Sequence, residues 1–92
     1  HFKKVAKAIP RDPDVHFALA DALLGQGRAD NAIREYRVGI DLSPGLAMGW
    51  IRLGGAFLMA GQGSKAQEAF NQAQAIEPDN LRAQAGAAEA AA

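Results

Sequence analysis

Three short glycine-containing stretches are the first candidates for chemistry, because the backbone of a glycine-rich loop can cradle phosphate groups. They are GQG at 25–27, GG at 54–55 and GQG at 61–63. A phosphate loop follows a strand and continues into Gly-Lys-Ser/Thr, but no strand pattern precedes these stretches and no Gly-Lys pair follows them. We therefore interpret these glycines as turn and helix-packing residues.

Histidine and closely spaced acids are the other candidates, since such side chains hold metals and move protons. The run DPDVH at 12–16 offers alternating oxygen ligands, but Phe17 stands where a calcium loop needs glycine and no acid closes the loop. A metal pair or general base at His16 would need a convergent second ligand, and His1 lacks helical spacing to it. We expect no catalytic residue, no metal, no cofactor and no enzyme activity in this segment.

Charge and composition exclude further classes of partner. Ten basic residues balance ten acidic ones over 92 residues, so no net field attracts nucleic acid. Lys3, Lys7 and Arg11 share one predicted helix face, which we interpret as a solvated surface. The chain has no cysteine, and no apolar run approaches the roughly 20 residues of a membrane span. We expect no nucleic-acid binding and no membrane insertion. The composition does not indicate a cellular compartment.

The elements that must position any site follow a repeat. Pro10, Pro44 and Pro78 are spaced by 34 residues. The same shift maps Leu19 onto Leu53, Leu23 onto Phe57, Gly27 onto Gly61, Ala32 onto Ala66 and Tyr36 onto Phe70. Each unit therefore contains a helix, a glycine turn, a second helix and a proline stop, which predicts an all-α fold of antiparallel helix pairs.

Local signals set the expected boundaries. Asp12, directly before a proline, is typical of an N-cap, and Asp30 and Ser64 are candidate caps of the second helices. Gly27 and Gly61 suit left-handed turns. We predict helices at 2–9, 14–26, 30–42, 48–60, 64–76 and 81–91. The units are a truncated second helix at 1–12, full repeats at 13–46 and 47–80, and a capping or partial-repeat helix at 81–92.

This pattern resembles the tetratricopeptide repeat, in which Trp, Leu-Gly, Tyr, Gly, Ala, an aromatic, Ala and Pro recur at fixed offsets. The first unit departs from it at His16, Leu23 and Gly39, and the final half unit matches by register only. The resemblance implies a right-handed superhelical solenoid that acts as a protein-binding scaffold. The second unit matches closely, with Trp50, Leu53, Gly54, Phe57, Gly61, Ala66, Phe70, Ala73 and Pro78.

Helical spacing divides each first helix into two faces. One face alternates large and small residues, and we predict that it packs inward, with Gly54 admitting a close approach of the partner helix. This inward face comprises His16, Leu19, Ala20 and Leu23 in the first unit and Trp50, Leu53, Gly54 and Phe57 in the second.

The resemblance implies that the other face of each first helix lines a concave groove. This lining has an apolar floor with acid on one side and base on the other, and a glycine leaves a dent for a ligand. The floor is Phe17, Leu24, Met48, Ile51 and Leu58, the acids are Asp14 and Asp21, the bases are Arg52 and Arg82, and the glycine is Gly55.

The expected partner is a protein or peptide segment whose acidic group meets the two arginines. Some members of this family bind acidic peptide tails through two Lys, two Asn and one Arg, and the residue types here argue against that clamp. The alternatives are an accessory segment of a larger enzyme, such as a glycosyl- or sulfotransferase, or a module that forms homo-oligomers through exposed repeat ends. We expect the array to extend before residue 1 and to fade after residue 80. The clamp positions hold Phe17, Asp21, Arg52, Arg82 and Gly86.

Overall fold

A computed structural model describes residues 12–91 of the chain. These residues form five helices and contain no strand, which confirms the all-α prediction. The five corresponding predictions agree within one residue at each end, whereas the helix predicted at 2–9 and the basic face beside it lie outside the described residues. The helices are α1 (Pro13–Gly25), α2 (Ala29–Leu42), α3 (Ala47–Met59), α4 (Gly63–Ile76) and α5 (Leu81–Ala91).

Helix starts follow backbone geometry more than side-chain capping. Asp12 does cap α1, since its Oδ1 accepts the Asp14 N–H at 3.0 Å. The capping predictions for Asp30 and Ser64 were wrong, because α2 and α4 start before these residues and have no side-chain cap. In α2 the Ala32 N–H already bonds to the Arg28 carbonyl at 3.0 Å, so Asp30 falls inside the first turn.

The two glycine turns are as predicted. Gly27 and Gly61 have φ of 79° and 76°, a left-handed conformation that residues with a Cβ rarely adopt. Each turn is closed by a backbone bond back to the preceding helix, from Arg28 to Leu23 at 2.9 Å and from Gln62 to Phe57 at 2.8 Å. The turns therefore fold α1 against α2 and α3 against α4. The two helix pairs fall within 13–46 and 47–80.

Two buried aromatic rings pack between helices, and each ring lies between two glycines. A Cβ on Gly39 or Gly49 would come within 2.8 Å of the Phe17 ring. A Cβ on Gly54 would lie 2.7 Å from Phe70, and one on Gly86 would come closer still. We call these arrangements the Phe17 slot and the Phe70 slot. The predicted close approach at Gly54 is thus confirmed.

The inward face of α1 differs from the prediction at one position. Leu19 is 48% exposed, although its equivalent Leu53 is 4% exposed. Leu53 lies beside Ile40 of α2, the second helix of the preceding repeat. The prediction for Leu19 was wrong because burial at this position depends on a helix one repeat earlier, and within 12–91 no such helix covers α1.

Candidate functional site

Part of the predicted groove forms one depression between α3 and the start of α5. Met48, Ile51, Arg52 and Arg82 line it, and they are joined by two residues that the prediction missed, Asn80 and Leu81. The depression has a volume of about 480 Å³. We call it the α3–α5 depression.

The α3–α5 depression combines apolar and basic groups. Leu81 is 77% exposed and Met48 is also exposed, so apolar side chains face the opening. Arg82 is exposed and forms no salt bridge with any residue of 12–91. Such a surface suits a ligand that offers both an apolar side chain and an acid.

Asn80 fixes the helix start that borders this depression. Its Oδ1 accepts the backbone N–H groups of Arg82 at 2.9 Å and Ala83 at 3.2 Å. Its Nδ2 donates to Glu77 at 3.0 Å. Asn80 is therefore the N-cap of α5, and it orients the first turn that carries Leu81 and Arg82. The Pro-Asp-Asn sequence before Leu81 is the signal from which this cap was predictable.

The predicted acid and base sides of the groove meet directly at Asp21. Asp21 Oδ1 accepts the hydroxyl hydrogen bond of Tyr36, and its Oδ2 accepts a hydrogen bond from Arg52 Nη1. This network joins α1, α2 and α3. Arg52 is therefore already paired within the chain, whereas the prediction left it open for a ligand.

Phe17 was wrongly predicted to line the groove. Its side chain is 2% exposed because the ring fills the slot between Gly39 and Gly49. Helical spacing places this position at the border between the inward and concave faces. The two glycines that draw the ring inward lie on other helices, so α1 alone did not reveal them.

The remaining predicted groove residues are partly or fully accessible. Asp14 is exposed on the first turn of α1. Leu24 and Leu58 are half-buried and pack against the main core. Gly55 is half-buried, and a Cβ added there would meet no atom within 4 Å. Its role as a dent for a ligand stays a prediction.

His16 of α1 contacts a carboxylate of α2. His16 is half-buried, and its Nδ1 lies 3.0 Å from Glu35 Oε1. Residues 12–91 contain no cluster of three His, Cys, Asp or Glu side chains suited to a metal. None of the helices in this range is long and apolar enough to cross a membrane.

A second cavity, of about 400 Å³, lies between α2 and α4. Trp50 and Phe57 contribute to its floor, and the Arg37 guanidinium lies 5.6 Å from the Phe57 ring centroid. Its rim carries both signs of charge, with Arg37 and Lys65 near Asp41 and Glu68. The mixed rim favours no particular ligand charge.

Comparison with known sequences gives a limited result. No family model matches the chain. The human Protein O-mannosyl-transferase TMTC1 is 30% identical over 81 residues, which cover 84% of this chain. The chain spans only 9% of the length of that protein, so the match concerns a small segment of it.

Solved structures match the fold closely. The second TPR domain of human RPAP3, in complex with an HSP70 peptide, has a TM-score of 0.83 at 20% identity, over 88% of this chain and 68% of its own. The first TPR of Spaghetti (RPAP3), bound to an HSP90 peptide, has a TM-score of 0.85 at 18% identity, over 98% of this chain and 71% of its own. MamA has a TM-score of 0.87 at 24% identity, over 96% of this chain and 52% of its own. This chain has the tetratricopeptide repeat fold.

The tetratricopeptide fold explains why the Asp21 network spans two repeats. The first helices α1 and α3 occupy equivalent places in successive repeats, so Asp21 and Arg52, 31 residues apart in sequence, become neighbours. Tyr36 occupies the aromatic position of the first repeat, where the second has Phe70. Only the tyrosine has a hydroxyl with which to hold Asp21.

The titration of Tyr36 provides a test of this network. Burial raises the pKa of Tyr36 above its usual value of about 10, and the hydrogen bond and charge of Asp21 raise it further, while Arg52 lowers it. Because the folded pKa exceeds the unfolded one, the associated stability is fully present below about pH 10 and is lost as pH rises through the folded pKa. Tyr36 is the single tyrosine, so ultraviolet absorbance of tyrosinate reports it alone.

We expect the absorbance midpoint of the folded protein to lie above that of the urea-unfolded chain. In Asp21→Asn the midpoint should fall toward the unfolded value but stay above it, since burial is the largest cause of the shift. Coincident midpoints for the folded and unfolded wild-type chain would contradict a buried, hydrogen-bonded Tyr36.

Proposed function

We propose that this tetratricopeptide module is a protein-interaction scaffold that binds a peptide segment or helix of a partner along its concave groove. The observation that carries the proposal is the α3–α5 depression, which combines exposed apolar side chains with two arginines on a preformed surface. Because helices α3 and α5 already hold these side chains, little backbone ordering is needed on binding.

The residues of the depression would divide the recognition between them. Met48, Ile51 and Leu81 would contact an apolar side chain of the partner, and burial of that side chain would supply most of the affinity. Arg82 and Arg52 would meet an acidic group, since a guanidinium forms directional hydrogen bonds with a carboxylate. The preferred ligand is then an acid next to an apolar residue.

The comparisons support peptide binding as a use of this fold, because the two RPAP3 structures contain bound peptides. Those peptides, SGPTIEEVD and SRMEEVD, both end in acidic tails. Of the clamp positions Phe17, Asp21, Arg52, Arg82 and Gly86, only Arg82 has the charge expected for binding such tails. We therefore propose that this groove selects internal segments over chaperone-type tails, and that a tail peptide competes poorly with a selected ligand.

The experiment that tests the groove is selection of displayed random peptides on the immobilised wild-type chain, followed by affinity measurement. Leu81→Glu should weaken the selected peptides by about tenfold or more, because it removes an apolar contact and adds an acid beside two arginines. Leu81 is so exposed that this variant should fold normally, which circular dichroism would check.

The matched control is Val38→Glu, which adds the same charge at a partly exposed apolar residue of α2, away from the groove. It should leave peptide affinity unchanged. Ile51→Glu gives a second groove variant at a more buried position. Equal loss in Leu81→Glu and Val38→Glu, or no loss in either groove variant, would exclude this binding surface.

A second candidate function is an accessory segment of a larger enzyme, such as a glycosyl- or sulfotransferase. The match to a segment of Protein O-mannosyl-transferase TMTC1 favours it. The coding sequence on both sides of residues 1 and 92 tests it directly. A transferase domain in the same reading frame would support this proposal, and its absence would oppose it.

A third candidate is a self-assembling structural module. The exposed Val15 and Leu19 on α1 favour it, because the equivalent face of α3 packs against a preceding helix. Light scattering over a range of concentrations separates this proposal from peptide binding by a monomer. A constant monomer mass at all concentrations would exclude it.

A further inference from the structure

We infer that Asp21 is a positioning residue: together with Tyr36 it holds the Arg52 guanidinium at the edge of the α3–α5 depression, ready for an acidic group of a bound peptide. The inference rests on the proposed function. It concerns how the groove recognises an acid, and it predicts that removal of a negative charge weakens the binding of a negatively charged ligand.

The fixed end of this arrangement is Tyr36. Its side chain is 1% exposed, and its ring centroid lies 6.4 Å from that of Phe17 in the core. The hydroxyl reaches the groove side and donates to Asp21 Oδ1. A carboxylate on the exposed face of α1 is thereby hydrogen-bonded to the hydroxyl of a buried side chain.

The other carboxylate oxygen of Asp21 positions Arg52 through a hydrogen bond. Asp21 Oδ2 accepts from Arg52 Nη1, while the same guanidinium borders the α3–α5 depression. A guanidinium has five N–H donors, so a contact through Nη1 leaves further donors for a ligand. Arg82, on the opposite side of the depression, has no comparable salt bridge within 12–91.

Two opposing effects determine whether Asp21 strengthens or weakens the binding of an acidic peptide. The charge of Asp21 repels an acidic ligand, but its side chain is 46% exposed and that repulsion is screened by water and salt. An arginine loses much rotamer freedom when a ligand immobilises it, and Asp21 has already removed part of that freedom in the unbound chain. We expect the ordering of Arg52 to outweigh the repulsion.

The experiment uses two fluorescein-labelled, C-terminally amidated peptides, SGLELGS and SGLQLGS, and measures their affinities by anisotropy at physiological salt. The wild-type chain should prefer the Glu peptide. Asp21→Asn should bind the Glu peptide roughly three- to tenfold more weakly, the range expected for one side chain that must be ordered on binding. Its affinity for the Gln peptide should be unchanged.

Tyr36→Phe tests the same arrangement from its buried end, since it keeps the ring and removes the hydroxyl. Its affinity for the Glu peptide should fall by less than that of Asp21→Asn, and its affinity for the Gln peptide should be unchanged. Asp41→Asn is the matched control, because it removes one negative charge from an exposed position of α2 outside the groove. It should bind both peptides as the wild type does.

Each other outcome has a definite meaning. Equal losses on both peptides would show a structural role for Asp21, and tighter Glu-peptide binding by Asp21→Asn would show that repulsion dominates, so either result overturns the inference. Equal wild-type affinity for the two peptides also overturns it but leaves groove binding intact. No wild-type binding to either peptide, together with no ligand from the displayed library, overturns the proposed function as well.

Discussion

Replacement of Phe17 by alanine should lower the free energy of unfolding by about 3–5 kcal/mol, the cost of removing a buried aromatic ring and leaving a cavity. The ring fills the slot between Gly39 on α2 and Gly49 on α3, so its loss removes contacts among three helices. Since small domains are stable by only about 5–15 kcal/mol, much of the remaining stability would disappear. Urea unfolding followed by circular dichroism measures the change.

The control for Phe17→Ala is Leu81→Ala, a truncation at an exposed position that should change stability by no more than about 0.5 kcal/mol. Phe17→Leu should cost less than Phe17→Ala because it leaves a smaller cavity. If Phe17→Ala lowered the free energy of unfolding by less than about 1 kcal/mol, the side chain would behave as a surface residue. That result would support the prediction that Phe17 lines the groove.

The adjacent glycines of α3 should respond to the same substitution with opposite signs. Gly54→Ala should destabilise the fold by about 1–3 kcal/mol, because the new Cβ would lie 2.7 Å from a ring that Gly86 confines on its other side. Gly55→Ala should stabilise it by about 0.5–1 kcal/mol, since alanine favours the helix and the added Cβ meets nothing. Thermal and urea unfolding of the two variants make the comparison.

A double variant gives the control for this pair. Phe70→Leu alone should destabilise the fold, but in its presence Gly54→Ala should cost less than in the wild type, because the smaller side chain yields space. Gly55→Ala should have the same effect with Phe or Leu at position 70. Stabilisation by Gly54→Ala in the wild-type background would contradict the slot geometry.

The regular part of this fold was predictable because the 34-residue period repeats the same local signals. Left-handed Gly27 and Gly61 and the proline stops marked both helix pairs, and Gly54 was correctly assigned to helix packing. The caps at Asp30 and Ser64 failed because the backbone closes each helix start one residue earlier. That difference depends on turn geometry, which residue type alone does not determine.

The candidate site was less predictable because it depends on contacts between repeats. Helical spacing and the family resemblance together placed Asp21 and Arg52 on the concave side, but they did not show that residues 31 positions apart would pair. Asn80 and Leu81 were missed because Asn80 is the last residue of the second repeat and Leu81 begins α5, in the final half unit that matched the repeat pattern by register only. The prediction that Phe17 lines the groove was wrong because the burial of this ring depends on Gly39 and Gly49 on neighbouring helices.

Helix α3 contributes a glycine to both aromatic slots, Gly49 to the Phe17 slot and Gly54 to the Phe70 slot. Local opening of α3 would therefore release both rings at once, whereas fraying of α5 would release only one side of Phe70. In repeat proteins, cooperativity arises from such interfaces between neighbouring units. The two repeats should consequently unfold as one unit, with α3 exchanging its amide hydrogens only through global unfolding.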